Sequence, residues 1–287
     1  MLHWRKVSKE VARVAVKTRC LSSAPGRPLV ELSIDKEGIA TVQMQRAPVN
    51  SLNVELMRAI HDSVSDLEKD KCKGMILTSA SPTVFSAGMD LMELHNPEIK
   101  RLEEFSSSMF DIILKLFSSS IVTTAAINGY SGAGACVVAL ALDYRTMTTG
   151  KAKIGLNDTA VGISPAQWIA ELMTRIMGKR NTEYALTTSH MFSAEQAVKV
   201  GLIDEVATDK TDAVQRCKNF IKLHDNIVPA VRNQTKLSLR KDFITDFKGN
   251  REQNLKNFMN MIMNPAFQNG IDQYVRSLKQ KKAKSTA

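Results

Sequence analysis

The sequence predicts an α/β fold in which most strands are parallel. From about residue 30 to residue 206, short apolar runs of strand length alternate with amphipathic stretches of helical length. This order favours a largely parallel sheet covered by helices. The apolar fraction of 44% and the charged fraction of 24% lie near the globular average, which excludes wholesale disorder. At 287 residues, the chain suits two domains of about 150 residues or one large α/β domain.

The first elements of this pattern are a hairpin, a helix and a buried strand. Alternating apolar residues on both sides of Gly38 predict two paired strands. A helix is predicted over residues 54–69, with Ser51 or Asn53 as its N-cap. Its apolar residues recur at steps of three and four, at Leu56, Ile60, Val64 and Leu67. Residues 75–78 then read as a short buried strand.

The rest of the chain continues the alternation and ends in a helical region. Further helices are predicted at residues 100–118 and 134–142, and further strands at 121–127, 144–148, 153–156 and 201–206. From about Asp209 the sequence changes to long segments rich in Lys, Arg, Gln and Asn with helical apolar periodicity. We therefore divide the chain into an N-terminal segment (residues 1–22), a core (28–207) and a C-terminal helical region (208–287).

The net charge of +10 is concentrated in part at the N-terminus. The first 27 residues hold seven lysines and arginines, and Glu10 is their only acid. On a helix, apolar residues would form one stripe through Trp4, Val7, Val11 and Val14. This profile is typical of a mitochondrial transit peptide, so we predict that residues 1–22 direct the protein to the mitochondrial matrix. An ordinary exposed basic helix is the alternative. Cleavage after Leu21 would remove a charge of +5 and leave a mild +5.

Several classes of protein and site are disfavoured by composition. No stretch approaches the roughly 18 uncharged apolar residues that a membrane span needs. The four cysteines form no C-x-x-C pair, and the five histidines form no close pair, so we expect neither a disulfide framework nor a metal site. The densest basic run, residues 279–284, has no aromatic neighbour, so we expect no nucleic-acid partner.

Two glycine-containing segments have the composition of an anion-stabilising site. Residues 85–91, FSAGMDL, place a glycine where the backbone can turn sharply and direct N–H groups toward one point. Residues 126–136, AINGYSGAGAC, join the end of a strand to the start of a helix at Gly134. Since a helix N-terminus stabilises negative charge, one donor from each segment would make an oxyanion hole. A dinucleotide fingerprint is disfavoured, because Val137 occupies the third glycine position.

Taken in order, these motifs and those that follow resemble the enoyl-CoA hydratase/isomerase (crotonase) superfamily. The resemblance rests on FSAGMDL, AING, IGLND over residues 154–158 and FSAEQA with GLIDEV over residues 192–206. It runs from about residue 29 to residue 206, and within the superfamily it is greatest to the isomerase branch, which shares RAPVNSL over residues 46–52. The resemblance implies a spiral of β-β-α units, a homotrimer assembled through the C-terminal helical layer, and fatty enoyl-CoA thioester substrates.

The resemblance also implies roles for individual residues. The backbone N–H groups of Met89 and Gly134 would form the oxyanion hole, and both residues would contact the substrate. The path of the CoA moiety would be lined by these residues together with Ala87, Gly88, Asp90 and Leu91. No separate cofactor is expected, because CoA is part of the substrate.

The choice of reaction depends on two further positions. Hydratases of the family carry the first of two carboxylates after Cys136, where this sequence has Val137, which can neither donate nor accept a hydrogen bond. The isomerases use one glutamate to move a proton from C2 to C4, and Asp158, one methylene shorter, occupies that position here. We therefore predict an isomerase that converts 3-cis- or 3-trans-enoyl-CoA to trans-2-enoyl-CoA in fatty-acid β-oxidation. Another hydratase or hydrolase of this type, and a non-catalytic CoA or RNA binder, are the alternatives.

Two other side chains are candidates for the neighbourhood of the site. Glu93, two positions after the FSAGMDL segment, either reaches the cleft or is a solvated loop carboxylate, and the second interpretation is favoured. Trp168, beyond the predicted base, either walls the acyl pocket or packs in the core or an interface.

Overall fold

The computed structural model describes residues 17–21 and 28–286 and consists of β-strands and α-helices in alternation. The strands are β1 (Lys17–Leu21), β2 (Val30–Ile34), β3 (Ile39–Met44), β4 (Gly74–Ser79), β5 (Val84–Ser86), β6 (Val122–Ile127), β7 (Tyr130–Gly132), β8 (Tyr144–Thr148), β9 (Ile154–Gly155) and β10 (Glu205–Ala207). The helices are α1 (Val54–Lys69), α2 (Leu91–Leu94), α3 (Ile99–Ser118), α4 (Gly134–Leu140), α5 (Gln167–Thr188), α6 (Ala194–Lys199), α7 (Lys210–Lys222), α8 (Pro229–Gly249), α9 (Arg251–Ile262) and α10 (Pro265–Thr286), with a short 3-10 turn at Asp158–Val161.

The predicted transit peptide falls mostly outside this description. Residues 1–16 and residue 22 of that segment, and with them the predicted apolar stripe, lie outside the described residues. Residues 17–21 form β1, an antiparallel edge strand beside β2, which the sequence pattern did not predict.

Two sheets are built by the same repeated path of the chain. The large sheet has the order β1-β2-β3-β4-β6-β8-β10, antiparallel at β1 to β3 and parallel from β3 onward, and the small sheet has the parallel order β5-β7-β9. Successive strands alternate between the sheets, so that β4, β6 and β8 join the large one and β5, β7 and β9 the small one. The chain therefore winds as a spiral of β-β-α turns, as the sequence resemblance implies.

The large sheet is buried on both faces, and alternate side chains pack in opposite directions. On one face, Ile76 packs in a cluster with Cys217 and Ile221 of α7. On the other face, Met75 and Leu77 join the main core with α1 and α3. This double coverage explains why β4 reads as a continuous apolar run rather than an alternating one.

The helix α8 is held against the core by a buried charge cluster. The carboxylate of Asp143, just before β8, lies 2.8 Å from the Lys236 ammonium and 3.0 Å from the Arg240 guanidinium, and Arg232 lies 3.8 Å away. Burial raises the pKa of Asp143, but the two nearer cations outweigh it and hold the pKa below its ordinary value. Because α8 leads directly into α9, this anchor fixes where the end of the chain returns to the core.

Most predicted elements occur close to their predicted bounds. The helix α1 occupies residues 54–69 as predicted, and of the two candidate caps Asn53 is the one that accepts a hydrogen bond, from the Leu56 N–H at 3.0 Å. The last core strand begins at Glu205 rather than at residue 201, because the buried Leu202 and Ile203 lie in a turn. The helix α5 is broken at Gly178, whose φ is +76°. None of the described helices has the length and apolar character that crossing a membrane requires.

Candidate active site

A cavity of about 310 Å³ lies between the start of α4, the turn at Asp158–Val161 and the helices α3, α5 and α9. It is lined by Met89, Ser106, Met109, Phe110, Gly134, Val137, Asp158, residues 163–169, Asn254, Asn257, Phe258 and Met261. The volume is that of a typical small-molecule site, and the lining is mostly apolar with a few polar groups.

The loop before α2 directs the Met89 N–H into this cavity. The Leu52 N–H donates to the Gly88 carbonyl at 2.7 Å, and the Asp90 N–H donates to the Leu52 carbonyl at 3.0 Å. These two bonds form a parallel bridge on either side of Met89. In such a bridge the residue between the two bonds points its own N–H and C=O away from the partner strand. The Met89 N–H is therefore turned from Leu52 toward the cavity that Met89 lines.

The second donor is the first N–H of α4. Gly134 is the first residue of that helix, and no carbonyl one turn earlier is available to its N–H. A Cβ built on Gly134 would lie 3.4 Å from the Met89 nitrogen, so the two N–H groups occupy one small region. Together with the positive end of the α4 dipole, they form a site for a developing negative charge.

Close approach of the two donor loops depends on a glycine at position 88. A Cβ at Gly88 would lie 2.7 Å from the Gly132 carbonyl oxygen and 3.1 Å from the Gly134 nitrogen, and the φ of +85° disfavours any side chain. The adjoining Ala133 has a positive φ of 51° without being a glycine. Backbone strain of this kind is concentrated at functional sites, where the surrounding structure holds it in place.

The turn that carries Asp158 is connected to the same loop. The strand β9 pairs with β7, and the Ala133 N–H donates to the Gly155 carbonyl at 2.9 Å. Three residues later, the turn is held against the end of α5, where the Thr159 hydroxyl donates to the Leu186 carbonyl at 2.7 Å. The carboxylate and the Gly134 donor are thus positioned by one continuous hydrogen-bonded frame.

Asp158 is the titratable group of the cavity. It carries the only carboxylate among the described residues that line the cavity, and the residue is 8% exposed. Burial raises the pKa of Asp158 from its ordinary value of 3.8 to about 6. The cavity therefore holds a carboxylate that changes protonation near neutral pH, which is the property of a general acid–base group.

Apolar side chains form the inner wall of the cavity. Trp168 and Phe110 are buried, with ring centroids 5.5 Å apart, and both contact Phe247, which lies at 5.1 Å from Trp168 and 4.7 Å from Phe110. Trp168 therefore lines the cavity and also packs in the core, so the structure combines the two roles that the sequence left as alternatives.

The opposite wall comes from the far end of the chain. The helix α9 supplies Asn254, Asn257, Phe258 and Met261, of which Asn257 is exposed. Sequence reasoning missed these residues. The apolar periodicity near residues 258–262 is visible in the sequence, but it does not indicate which surface the helix covers.

Three of the predicted site residues line the cavity, and the others lie in the loop beside it. Met89, Gly134 and Asp158 line the cavity together, and Gly88 lies directly behind the two donors. Ala87 is exposed and Leu91 is half-buried, and neither lines the cavity. The Asp90 carboxylate is already engaged, because one oxygen accepts from the Met92 N–H at 3.0 Å and the other lies 2.6 Å from Arg46.

The favoured interpretation of Glu93 as a solvated loop carboxylate is wrong. The residue is 7% exposed, and its carboxylate is held by the Arg101 guanidinium, with one N–O distance of 2.7 Å. It does not line the cavity, because its position in the short helix α2 turns it toward α3. Glu93 and Arg101 therefore anchor α2 rather than serve the cavity.

The spiral fold, the paired backbone donors and the buried carboxylate agree with the superfamily that the sequence motifs resemble. The sequence model of the enoyl-CoA hydratase/isomerase family matches residues 35–283, and the chain belongs to this family. A mouse relative, "Enoyl-CoA delta isomerase 1, mitochondrial", is 35% identical over 248 residues, 85% of each chain. The human protein of the same name is 32% identical over 250 residues, which cover 85% of this chain and 82% of that one.

Solved structures give the same result for the fold. The crystal structure of human mitochondrial delta3-delta2-enoyl-CoA isomerase matches with a TM-score of 0.85 and 32% identity, over 88% of this chain and 99% of that one. An enoyl-CoA hydratase from Bacillus halodurans matches with a TM-score of 0.78 and 24% identity, over 85% of this chain and 99% of that one. The second likeness concerns the fold alone.

Proposed function

We propose that this protein is an isomerase of fatty-acid β-oxidation that converts 3-cis- or 3-trans-enoyl-CoA to trans-2-enoyl-CoA. One observation carries the proposal: a single carboxylate with a raised pKa shares an apolar cavity with two convergent backbone donors. The names of the mouse and human relatives support the same reaction class.

In this proposal the thioester carbonyl oxygen lies between the N–H groups of Met89 and Gly134. A 3-enoyl thioester has an acidic C2, because its carbanion is stabilised by both the carbonyl and the alkene. Asp158 removes the C2 proton, the electron pair moves into a dienolate, and the two N–H groups stabilise the negative oxygen. The protonated Asp158 then donates the same proton to C4, which leaves the double bond between C2 and C3. The cycle is balanced without a cofactor or a metal ion.

The pKa of Asp158 suits both halves of this cycle. A base that is too weak cannot remove the C2 proton, and one that is too strong cannot return it, so the best pKa lies near the working pH. With a pKa of about 6, Asp158 is mostly ionised at neutral pH and gains a proton at little cost. Burial alone raises the pKa of Asp158, and no second acid in the cavity is needed to raise it.

Hydration is disfavoured by the residue on α4 that faces the cavity. Water addition in the family's hydratases uses two carboxylates, and Val137, 3% exposed, fills the place of the first with an isopropyl group. Such a group can neither orient nor activate a water molecule. Asp158 alone can transfer a proton, but it lacks the partner that would hold water on the other side of the substrate.

Location and assembly are part of the proposal. The basic, acid-poor segment 1–22 and the mitochondrial relatives support import into the matrix and removal of that segment. Exposed apolar side chains on and before α8, at Val228, Val231 and Leu239, support burial of this helix face in a homotrimer. The exposed Ala87 and the half-buried Leu91, on the loop that carries Gly88 and the Met89 donor, support a path for CoA beside the donors.

The test is the conversion of 3-cis-enoyl-CoA by the purified protein, followed by the ultraviolet absorbance of the conjugated product. We expect turnover by the native chain, its loss in Asp158→Asn, and unchanged turnover in the control Asp62→Asn, whose carboxylate is exposed. Formation of 3-hydroxyacyl-CoA would favour a hydratase, and release of free CoA would favour a hydrolase. Binding of acyl-CoA without any turnover would favour a non-catalytic binder and contradict the proposal.

A further inference from the structure

The side chain of Arg46 connects the two backbone segments that hold the Met89 donor. One guanidinium nitrogen donates to the Ser51 carbonyl at 2.9 Å, immediately before Leu52 in the parallel bridge. The other lies 2.6 Å from the Asp90 carboxylate, immediately after Met89. Arg46 therefore links the two strands of this bridge: on one side it holds Ser51, the residue before Leu52, and on the other it holds Asp90, which itself bonds to Leu52.

Asp90 completes this link from the other direction. Its second carboxylate oxygen accepts from the Met92 N–H at 3.0 Å and caps the start of α2. Its own N–H donates to the Leu52 carbonyl at 3.0 Å. The backbone and both carboxylate oxygens of Asp90 are thus occupied in fixing the peptide that follows Met89.

We propose that Arg46 and Asp90 are positioning residues, which hold the Met89 N–H in the direction of the thioester oxygen. The inference rests on the proposed function, since it takes the thioester as the group that this N–H receives. It assigns Asp90 a structural contact with Arg46 instead of a contact with the CoA moiety. A mispositioned donor weakens stabilisation of the dienolate more than it weakens binding of the uncharged thioester, because the oxygen gains its charge only during the reaction.

Charge compensation is the second part of this role. The Asp90 carboxylate is one residue from the donor, and an unpaired negative charge there would oppose a negative charge on the thioester oxygen. Arg46 neutralises it at 2.6 Å. Two further ion pairs, from Arg101 to Glu93 and to Glu55, hold α2 on its other side, so we expect the helix to keep its place when Arg46 is changed.

The test compares the full-length protein with Arg46→Gln, Asp90→Asn and the double variant. We expect Arg46→Gln to lower kcat by about 10- to 100-fold while KM changes by less than about threefold, because a donor needed in the transition state is misplaced. The double variant is expected to be no worse than Arg46→Gln, because it also removes the unpaired charge. Arg46→Lys, which can compensate the charge but has one nitrogen for two acceptors, is expected to lie between.

A spectroscopic measurement separates positioning from folding. Octanoyl-CoA with a 13C-labelled thioester carbonyl is bound to each variant, and the carbonyl stretching frequency is read by infrared difference spectroscopy. We expect a downward shift on binding to the native protein and a smaller shift in Arg46→Gln. The control is Arg58→Gln, since Arg58 is exposed and lies 3.6 Å from Glu104 on the outer surface. It should change neither kcat nor the frequency.

The outcomes distinguish this inference from the proposed function. An unchanged frequency and kcat in Arg46→Gln would overturn the inference while the isomerase proposal stands. A fall in melting temperature and activity with an unchanged frequency would show a merely structural role and overturn it as well. If the native protein binds octanoyl-CoA with a shifted carbonyl, and the variant loses that shift, the inference stands even where no isomerisation is found. Failure of the native protein to bind acyl-CoA would overturn both.

Discussion

Replacing Asp158 by asparagine should make the protein more stable while it removes activity. The buried carboxylate is harder to ionise in the folded protein than in the unfolded chain, since burial raises its pKa from 3.8 to about 6. At neutral pH the folded protein must nevertheless carry it mostly in the charged form. Asparagine has a similar shape and no charge to bury, so the variant avoids this cost.

The size of the effect follows from the two pKa values. Well below pH 3.8 the carboxyl is protonated in both states and contributes no difference. As the pH rises from 4 to 6, the unfolded chain loses the proton while the folded protein keeps it, so the free energy of unfolding falls. Above pH 6 the penalty is complete, and a pKa difference of this size corresponds to about 3 kcal/mol. Asp158→Asn should therefore gain up to about 3 kcal/mol at pH 7.5 and much less at pH 4.

The assay is urea unfolding of the native protein and Asp158→Asn at pH 4 and pH 7.5, followed by circular dichroism. Asp62→Asn, an exposed carboxylate, serves as the control and should show no pH-dependent difference. In parallel, the rate of isomerisation by the native protein should rise with pH through about 6, as Asp158 becomes the ionised base. A stability difference that is equal at the two pH values would refute the reasoning, because burial of a charge must depend on the charge.

Other substitutions probe the frame around the carboxylate. Gly88→Ala should abolish isomerisation and cost about 1 to 3 kcal/mol in urea unfolding, because the new Cβ would lie 2.7 Å from the Gly132 carbonyl; full activity would contradict this geometry. Val137→Glu should move the midpoint of the pH–rate profile above that of the native protein, since a second carboxylate in the cavity disfavours the charged Asp158, and an unmoved midpoint would mean that the two groups do not interact. Asp143→Asn should lower the free energy of unfolding by about 3 to 5 kcal/mol, because it leaves the cations of α8 buried without their carboxylate, and unchanged stability in urea would show that the cluster does not hold α8.

The order of strands and helices was readable in the sequence because the signals there are local. The helix α1 was predicted at its observed bounds from four apolar residues and a cap, and β8 was predicted at Tyr144–Thr148. The division of the strands between two sheets was not readable from periodicity, because β5, β7 and β9 have only two or three residues each. This division between two sheets could be predicted only from the resemblance of the ordered motifs to a known family.

The site was predictable where backbone geometry and residue type determine the chemistry, and less so where long-range contacts do. Glycine in FSAGMDL and at the start of α4 indicated two backbone donors, and both lie at the cavity. The burial of Glu93 was not predictable, because it depends on Arg101 from the following helix. The link between Arg46 and Asp90 joins residues 44 positions apart, which no periodic pattern indicates.

The cavity is built from two parts of the chain that lie far apart in the sequence. Met89, Gly134 and Asp158 come from residues 89–158, whereas one wall of the cavity comes from residues 254–261 of α9. Substitutions in α9 are therefore expected to change the shape of the cavity without displacing Met89, Gly134 or Asp158.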